Sequence, residues 1–175
     1  MDYFFMNEFT FKLLISNNQN FISKLLKSIN INIEFFDLFE IDIETKNQKI
    51  DLLLFSRNLA INFELNKTKK SLKRNKIYAE CLAKILPSYK IIQININTFD
   101  TNNNYKTNNL EIINLHQEND YIKFITAKNP LRYKTKNKTI KQVIKTFKNI
   151  DINSIEKNIY KIERIKENLD SLIKD

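Results

Sequence analysis

The sequence predicts a mixed α/β domain: a central sheet flanked by helices, with a helical extension at the C-terminal end. Three observations predict it. Apolar residues recur at helical spacing near the start, short strand-like runs separated by turn residues fill the middle, and helical spacing returns at the end. The 175 residues, 42% of them hydrophobic, suffice for one domain with a real core.

The elements follow in order. Residues 7–15 and 18–29 read as helices. Phe21, Leu25, Leu26 and Ile29 fit one face, and Asn17 and Asn18 break the two segments apart. Residues 33–44 turn to alternation, Ile41 and Ile43 against Glu40, Asp42 and Glu44, and the second half reads as a strand. The runs KNQKIDLLLFS and NLAINFELN flank Ser56-Arg57-Asn58, a hairpin signal in which Asn58 is expected to take the left-handed turn conformation. Residues 68–86 form a helix that Thr68 or Ser71 can cap and Pro87 stops. Residues 88–99 alternate as a strand, 100–109 read as a surface loop, and strands are expected at 110–116 and 121–127. A basic connection over 128–138 leads to helices at 139–148 and 154–174, the last with a stripe of Ile and Leu. The division expected is a core of residues 1–127 and a basic linker with C-terminal helices over 128–175.

Composition excludes several classes of chemistry. There is no glycine, which removes glycine-rich phosphate loops and the nucleophile elbow together. One cysteine, Cys81, rules out an internal disulfide framework, and one histidine, His116, rules out multi-histidine metal sites. Cys81 reads as core and His116 has no evident ligand set around it. No apolar run approaches a membrane span, and mean hydropathy is −0.43. The start, MDYFFMNEFTFK, lacks a basic region followed by an apolar run, so a cytoplasmic protein with no membrane partner is expected. The abundance of Lys, Asn and Ile beside absent Gly and Trp reads as codon bias of an A/T-rich, bacterial genome.

The net charge of +9 is unevenly placed. Lys123, Lys128, Arg132, Lys134, Lys136, Lys138, Lys141, Lys145 and Lys148 occur between Tyr121 and Ile150 without one acid. A second acid-free cluster is Lys67, Lys69, Lys70, Lys73, Arg74 and Lys76. Basic clusters on an otherwise neutral body point to a polyanion, most often nucleic acid. The competing reading is a solvated lysine-rich surface produced by codon bias.

Two acids stand out. Asp51 lies among Ile50, Leu52, Leu53 and Leu54, and Glu64 among Ile61, Phe63 and Leu65. On adjacent hairpin strands they would sit in a covered sheet, where an acid is costly unless paired or bound to a cation. Two hard carboxylates suit Mg²⁺, with Mn²⁺ as a substitute. The alternative is that both lie at strand ends facing solvent or pair with lysines. Glu40 and Glu44 are auxiliary candidates on the preceding strand.

These residues resemble a family. K-I-D, twelve residues, then E-L-N looks like the D…(E/D)-x-K/Q core of the PD-(D/E)XK nuclease superfamily, and the chain is more closely similar to the recombination-promoting nucleases, the nuclease-family transposases. Glu8-Phe9-Thr10-Phe11-Lys12 resembles the family's first helix, Gln48 to Leu52 and Ile61 to Asn66 its two catalytic strands, and Arg74-Asn75-Lys76-Ile77-Tyr78 the helix carrying R-x-x-x-Y. The resemblance covers residues 5–127 and implies a restriction-endonuclease-like fold. It also implies a Mg²⁺-dependent DNA endonuclease of low sequence specificity. Asp51 and Glu64 would hold the ion, Asn66 would position water, Lys69, Lys70, Lys73, Arg74 and Tyr78 would contact DNA, and Glu8 and Glu44 would assist. Asn66 stands where the family has Lys or Gln, and an amide can only hydrogen-bond to water. Cutting two strands favours a homodimer. The alternatives are a catalytically impaired nucleic-acid-binding protein on the same fold and an unrelated basic α/β interaction protein.

Overall fold

The computed structural model describes residues 4–33, 35–39, 53–101, 103–151 and 154–155. Its centre is a mixed sheet of six strands in the order β1-β2-β3-β4-β6-β5. The strands are β1 (Asp37–Phe39), β2 (Leu53–Ser56), β3 (Leu59–Asn66), β4 (Lys90–Asn97), β5 (Tyr105–Lys106) and β6 (Leu110–Leu115). The helices are α1 (Glu8–Asn17), α2 (Gln19–Ser28), α3 (Ser71–Ile85), α4 (Asp120–Ile125) and α5 (Lys138–Lys148). The mixed α/β class expected from the sequence is therefore the observed one.

The hairpin expected around residues 56–58 is present: β2 and β3 are antiparallel, with Leu53 opposite Asn62 and Ser56 opposite Leu59. The left-handed residue in its turn is Arg57, with φ of 50°, rather than Asn58. β3 then runs parallel to β4, which runs parallel to β6, so a crossover must join β3 to β4. α3 supplies it and ends at Ile85, with Leu86 as its C-cap just before Pro87. Its N-cap position is Lys70, with no side-chain cap; the expected cap Ser71 is already inside the helix.

Side chains alternate across each strand, so the sheet has two distinct faces. On one face Leu54, Ile61, Ile92, Ile94, Ile96 and Leu115 join buried residues of α1, α2, α4 and α5 in the larger core. Phe5 packs edge-on against Phe147 at 4.9 Å and lies 5.2 Å from Phe124. α5 contributes Ile140, Val143 and Phe147 to this same core, while its lysines 138, 141, 145 and 148 face outward. On the other face α3 covers a smaller cluster of Leu53, Ala60, Ala79, Leu82, Ile91, Leu110 and Ile112.

Two expectations are corrected. Residues 121–127 are not a strand. Asn119 accepts a hydrogen bond from the Ile122 backbone at 3.0 Å and starts the short helix α4 instead. Within the expected loop 100–109, Tyr105 and Lys106 pair with Ile112 and Glu111 to make the edge strand β5. The second half of the strand expected at 33–44, and all but 154–155 of the last helix, lie outside the described residues. No helix among the described residues is long and apolar enough to cross a membrane.

Candidate functional site

A cavity of about 330 Å³ lies between the start of α1, β3 and α3. Its polar wall is Glu8, Lys12, Asn62, Glu64 and Arg74, with Tyr78 beside them and Met6, Phe11 and Ile15 as the apolar floor. Three separate stretches of chain meet here, each for a local reason. Asn7 caps α1, its side-chain oxygen accepting from the backbone of Phe9 at 3.0 Å and Thr10 at 3.4 Å, which fixes Glu8 in the first turn. Glu64 sits on β3 on the face that α3 covers. Arg74 and Tyr78 are one helical turn apart, with the guanidinium 5.9 Å from the Tyr78 ring centre.

Glu64 is half-buried, and one of its oxygens accepts from Asn62 Nδ2 at 3.2 Å. Glu8 is more exposed and pairs with Lys12 at 3.2 Å across one turn. A surface pair of this kind contributes under about 0.5 kcal/mol, so it orients Glu8 more than it stabilises α1. The donor set is all oxygen and nitrogen, with two carboxylates and one guanidinium facing a common volume. Hard cations and phosphate oxygens match such groups better than soft ligands do. Among the described residues no three His, Cys, Asp or Glu side chains gather as a ready-made metal cage.

Asn66 is placed differently from its expected role. It is 1% exposed and does not line the cavity. Its Oδ1 accepts from Ser71 Oγ at 2.6 Å and Asn75 Nδ2 at 2.8 Å, and its Nδ2 donates to Asn97 Oδ1 at 2.9 Å. The amide ties the end of β3 to the start of α3 and to β4. Asp51, Glu40 and Glu44 lie outside the described residues.

Asn66 belongs to a larger set of buried amides beneath α3. Asn62 Nδ2 donates to Gln93 Oε1 at 3.3 Å as well as to Glu64. Gln93 Nε2 donates to Asn95 Oδ1 at 3.1 Å and to the Asn75 carbonyl at 2.8 Å. Asn95 Nδ2 donates to Asn114 Oδ1 at 2.9 Å, and Asn114 Nδ2 to the Asn103 carbonyl at 2.7 Å. A row of hydrogen bonds thus crosses the sheet from Glu64 to the 103 loop. Asn75 Oδ1, fully buried, is the one orphaned side-chain acceptor among the described residues.

The basic residues separate. α3 meets the sheet through Asn75, Ala79 and Leu82, so Arg74 and Tyr78 fall on one flank and Leu72 and Lys76 on the other. Arg74 and Tyr78 face the Glu64 cavity; Lys69 and Lys73 line a different one, across the helix, and Lys70 is exposed at the helix start. In the 128–148 segment, Arg132, Lys134, Lys141 and Lys148 surround a shallow groove beside Tyr133. Tyr133 donates to Asp120 at 2.8 Å; burial, then that hydrogen bond and the carboxylate's charge, push the phenol up to about 12.

Two further residues singled out in the sequence have plain surroundings. Cys81 is only partly buried and belongs to neither core cluster. His116 sits 3.1 Å from the Asn97 carbonyl through Nδ1, a backbone contact. Sequence reasoning gave no role to Asn62 or Lys12. Both were within reach: Asn62 is two residues before Glu64 on the same strand face, and Lys12 one turn after Glu8.

Compared with family models, with curated proteins and with solved structures, the chain matches none.

Proposed function

We propose that the protein is a divalent-metal-dependent DNA endonuclease with a restriction-endonuclease-like fold, similar to the recombination-promoting nucleases. One observation carries this reading. Glu8, Glu64, Arg74 and Tyr78, picked out separately along the chain, line one cavity.

In this reading Asp51 and Glu64 hold Mg²⁺ or Mn²⁺. The ion supplies Lewis acidity at a phosphate oxygen and lowers the pKa of a bound water. Asn62 holds the Glu64 carboxylate in place through its amide hydrogen. Arg74 takes a phosphate oxygen pair with its planar fork, which a lysine cannot do. Lys12 keeps Glu8 turned along α1 and adds a positive charge at the cavity wall. Lys70 and the cations of the 128–148 segment meet the DNA backbone without reading bases. A second copy would be needed for a double-strand cut. The site asks nothing of the membrane, in keeping with a cytoplasmic protein.

A second reading has its own observation. Asn66 occupies the position of the family's Lys or Gln and is buried in a structural network, so a protein that binds DNA without cutting it fits as well. Plasmid nicking with Mg²⁺, run beside DNA binding, separates the two. Wild type is expected to nick, and Glu64→Gln and Asp51→Asn to fall to background while still binding DNA. Binding without nicking in the wild type, weakened by Arg74→Gln, selects the second reading. Equal nicking by wild type and both acid variants would sink the first.

A further inference from the structure

The second cavity, about 600 Å³, opens on the other flank of α3, between that helix and the loop leading into β5. Lys73 and Lys76, three residues apart on α3, line it together with Lys69 from the turn before the helix. Among the described residues no carboxylate lies within 4 Å of Lys69 or Lys73. Lys76 is held differently: its ammonium sits 4.2 Å from the centre of the Tyr105 ring and 3.9 Å from Glu80. Leu72, Ile112 and the Tyr105 ring form an apolar end. Asn114 pairs with Asn95 on the sheet two residues beyond Ile112, which sets amides at the other end. Each of these two buried amides spends one Nδ2 hydrogen within the row, and each Nδ2 carries two.

We propose that this groove binds a nucleoside diphosphate, with its phosphates on Lys69 and Lys73 and its base against Tyr105, Leu72 and Ile112. The size suits a small ligand, and the lining combines an apolar floor with a few placed polar groups. A phosphate is the anion that several convergent ammonium groups favour, each acting as a point charge. The remaining amide hydrogens of Asn95 and Asn114 supply neutral donors for ribose or phosphate oxygens. Asp100 stands on the rim. Its charge opposes a nucleic-acid strand running on past the groove but not a ligand that ends inside it. The site shares no lining residue with the Glu64 cavity and does not rest on the nuclease reading.

The test is calorimetric titration of the full chain with ADP, with pyrophosphate, adenosine and a short single-stranded oligonucleotide as parallel probes. ADP is expected to bind, and Lys73→Gln to weaken it at least tenfold. Tyr105→Leu should weaken ADP at least fivefold and leave pyrophosphate unchanged. Lys84→Gln, on the same helix outside the groove, should leave ADP binding as in wild type, and so should Glu64→Gln, whatever that variant does to nicking. Circular dichroism of each variant checks that the fold is kept; Lys73 is exposed, so its loss leaves the core intact. Three results would overturn the proposal. They are no heat with ADP at millimolar concentration, equal weakening by Lys84→Gln and Lys73→Gln, or binding of the oligonucleotide where ADP does not bind.

Discussion

The two faces of the sheet are both buried, yet they are built on opposite principles. On one, isoleucines of the sheet meet apolar residues from four helices, and the few buried polar groups on those helices are threonines whose hydroxyls are hydrogen-bonded. On the other, the starts of β3, β4 and β6 are equally apolar, but towards their ends Asn62, Gln93, Asn95, Asn114, Asn66 and Asn97 take over. Shape decides whether the first face is well formed, because dispersion and transfer terms scale with filled volume. Pairing decides the second, because a buried amide without partners costs about 1–3 kcal/mol. Both candidate cavities adjoin the amide part, where the walls already hold oriented donors and acceptors.

That contrast can be tested where it should be greatest. Asn62→Asp places an acceptor-only group between two acceptors, Glu64 and Gln93, at a position 2% exposed. A loss of about 3–5 kcal/mol is expected from the unpaired buried charge, read from urea unfolding near neutral pH. Asn62→Leu should cost less, although it changes shape more. If the leucine variant is the less stable one, packing and not pairing governs this face.

Phe124→Ala addresses the opposite face. Phe124 is fully buried against Phe5, Phe21 and Tyr133. A cavity there should cost about 3–5 kcal/mol, and Phe124→Leu should restore much of it, measured by the same unfolding curve. Failure of leucine to rescue would mean that ring geometry matters beyond volume.

The smallest effect lies at the sheet edge. Glu111 bonds Lys90 at 3.0 Å and Lys106 at 3.2 Å, linking β4, β6 and β5. Burial pushes its carboxyl up, but the two lysines outweigh that and hold it below its ordinary 4.5. A lowered folded-state value means a stabilising increment present above the ordinary pKa and lost as pH falls through the folded one. Glu111→Gln should therefore cost under about 1 kcal/mol at neutral pH. Its unfolding midpoint should change less than that of wild type on going below pH 4.5. Parallel acid limbs in the two proteins would remove the lysine contacts as the cause.

Much of this was legible in the sequence, and the failures have physical reasons. The hairpin was readable because two apolar runs need a turn between them. The helix at 71–85 was readable because Pro87 marks its end. α4 was misread because six residues make under two turns; over so short a span Ile122 and Phe124 fit a period of two as well as one near 3.6. The Asn119 cap was the better signal. The amide face was hidden by its own pattern, since alternation of Ile with Gln and Asn over residues 91–97 ordinarily marks a strand with one wet side. Only the crossover helix shows that this side is covered. The candidate site was legible as residue types at Glu8, Glu64, Arg74 and Tyr78. The division of the lysines was not, because flanks of α3 one residue apart in sequence face different cavities.

The row that starts at Glu64 has a sense of direction. An ionised carboxylate can only receive hydrogens, and so can the peptide oxygen of Asn103 at the far end. Head-to-tail amides strung between two receivers need one member that gives both ways, and Asn62 is that member. Every amide after it is thereby told which way to turn. Whatever removes the Glu64 acceptor leaves Asn62 with one receiver, Gln93, in place of two.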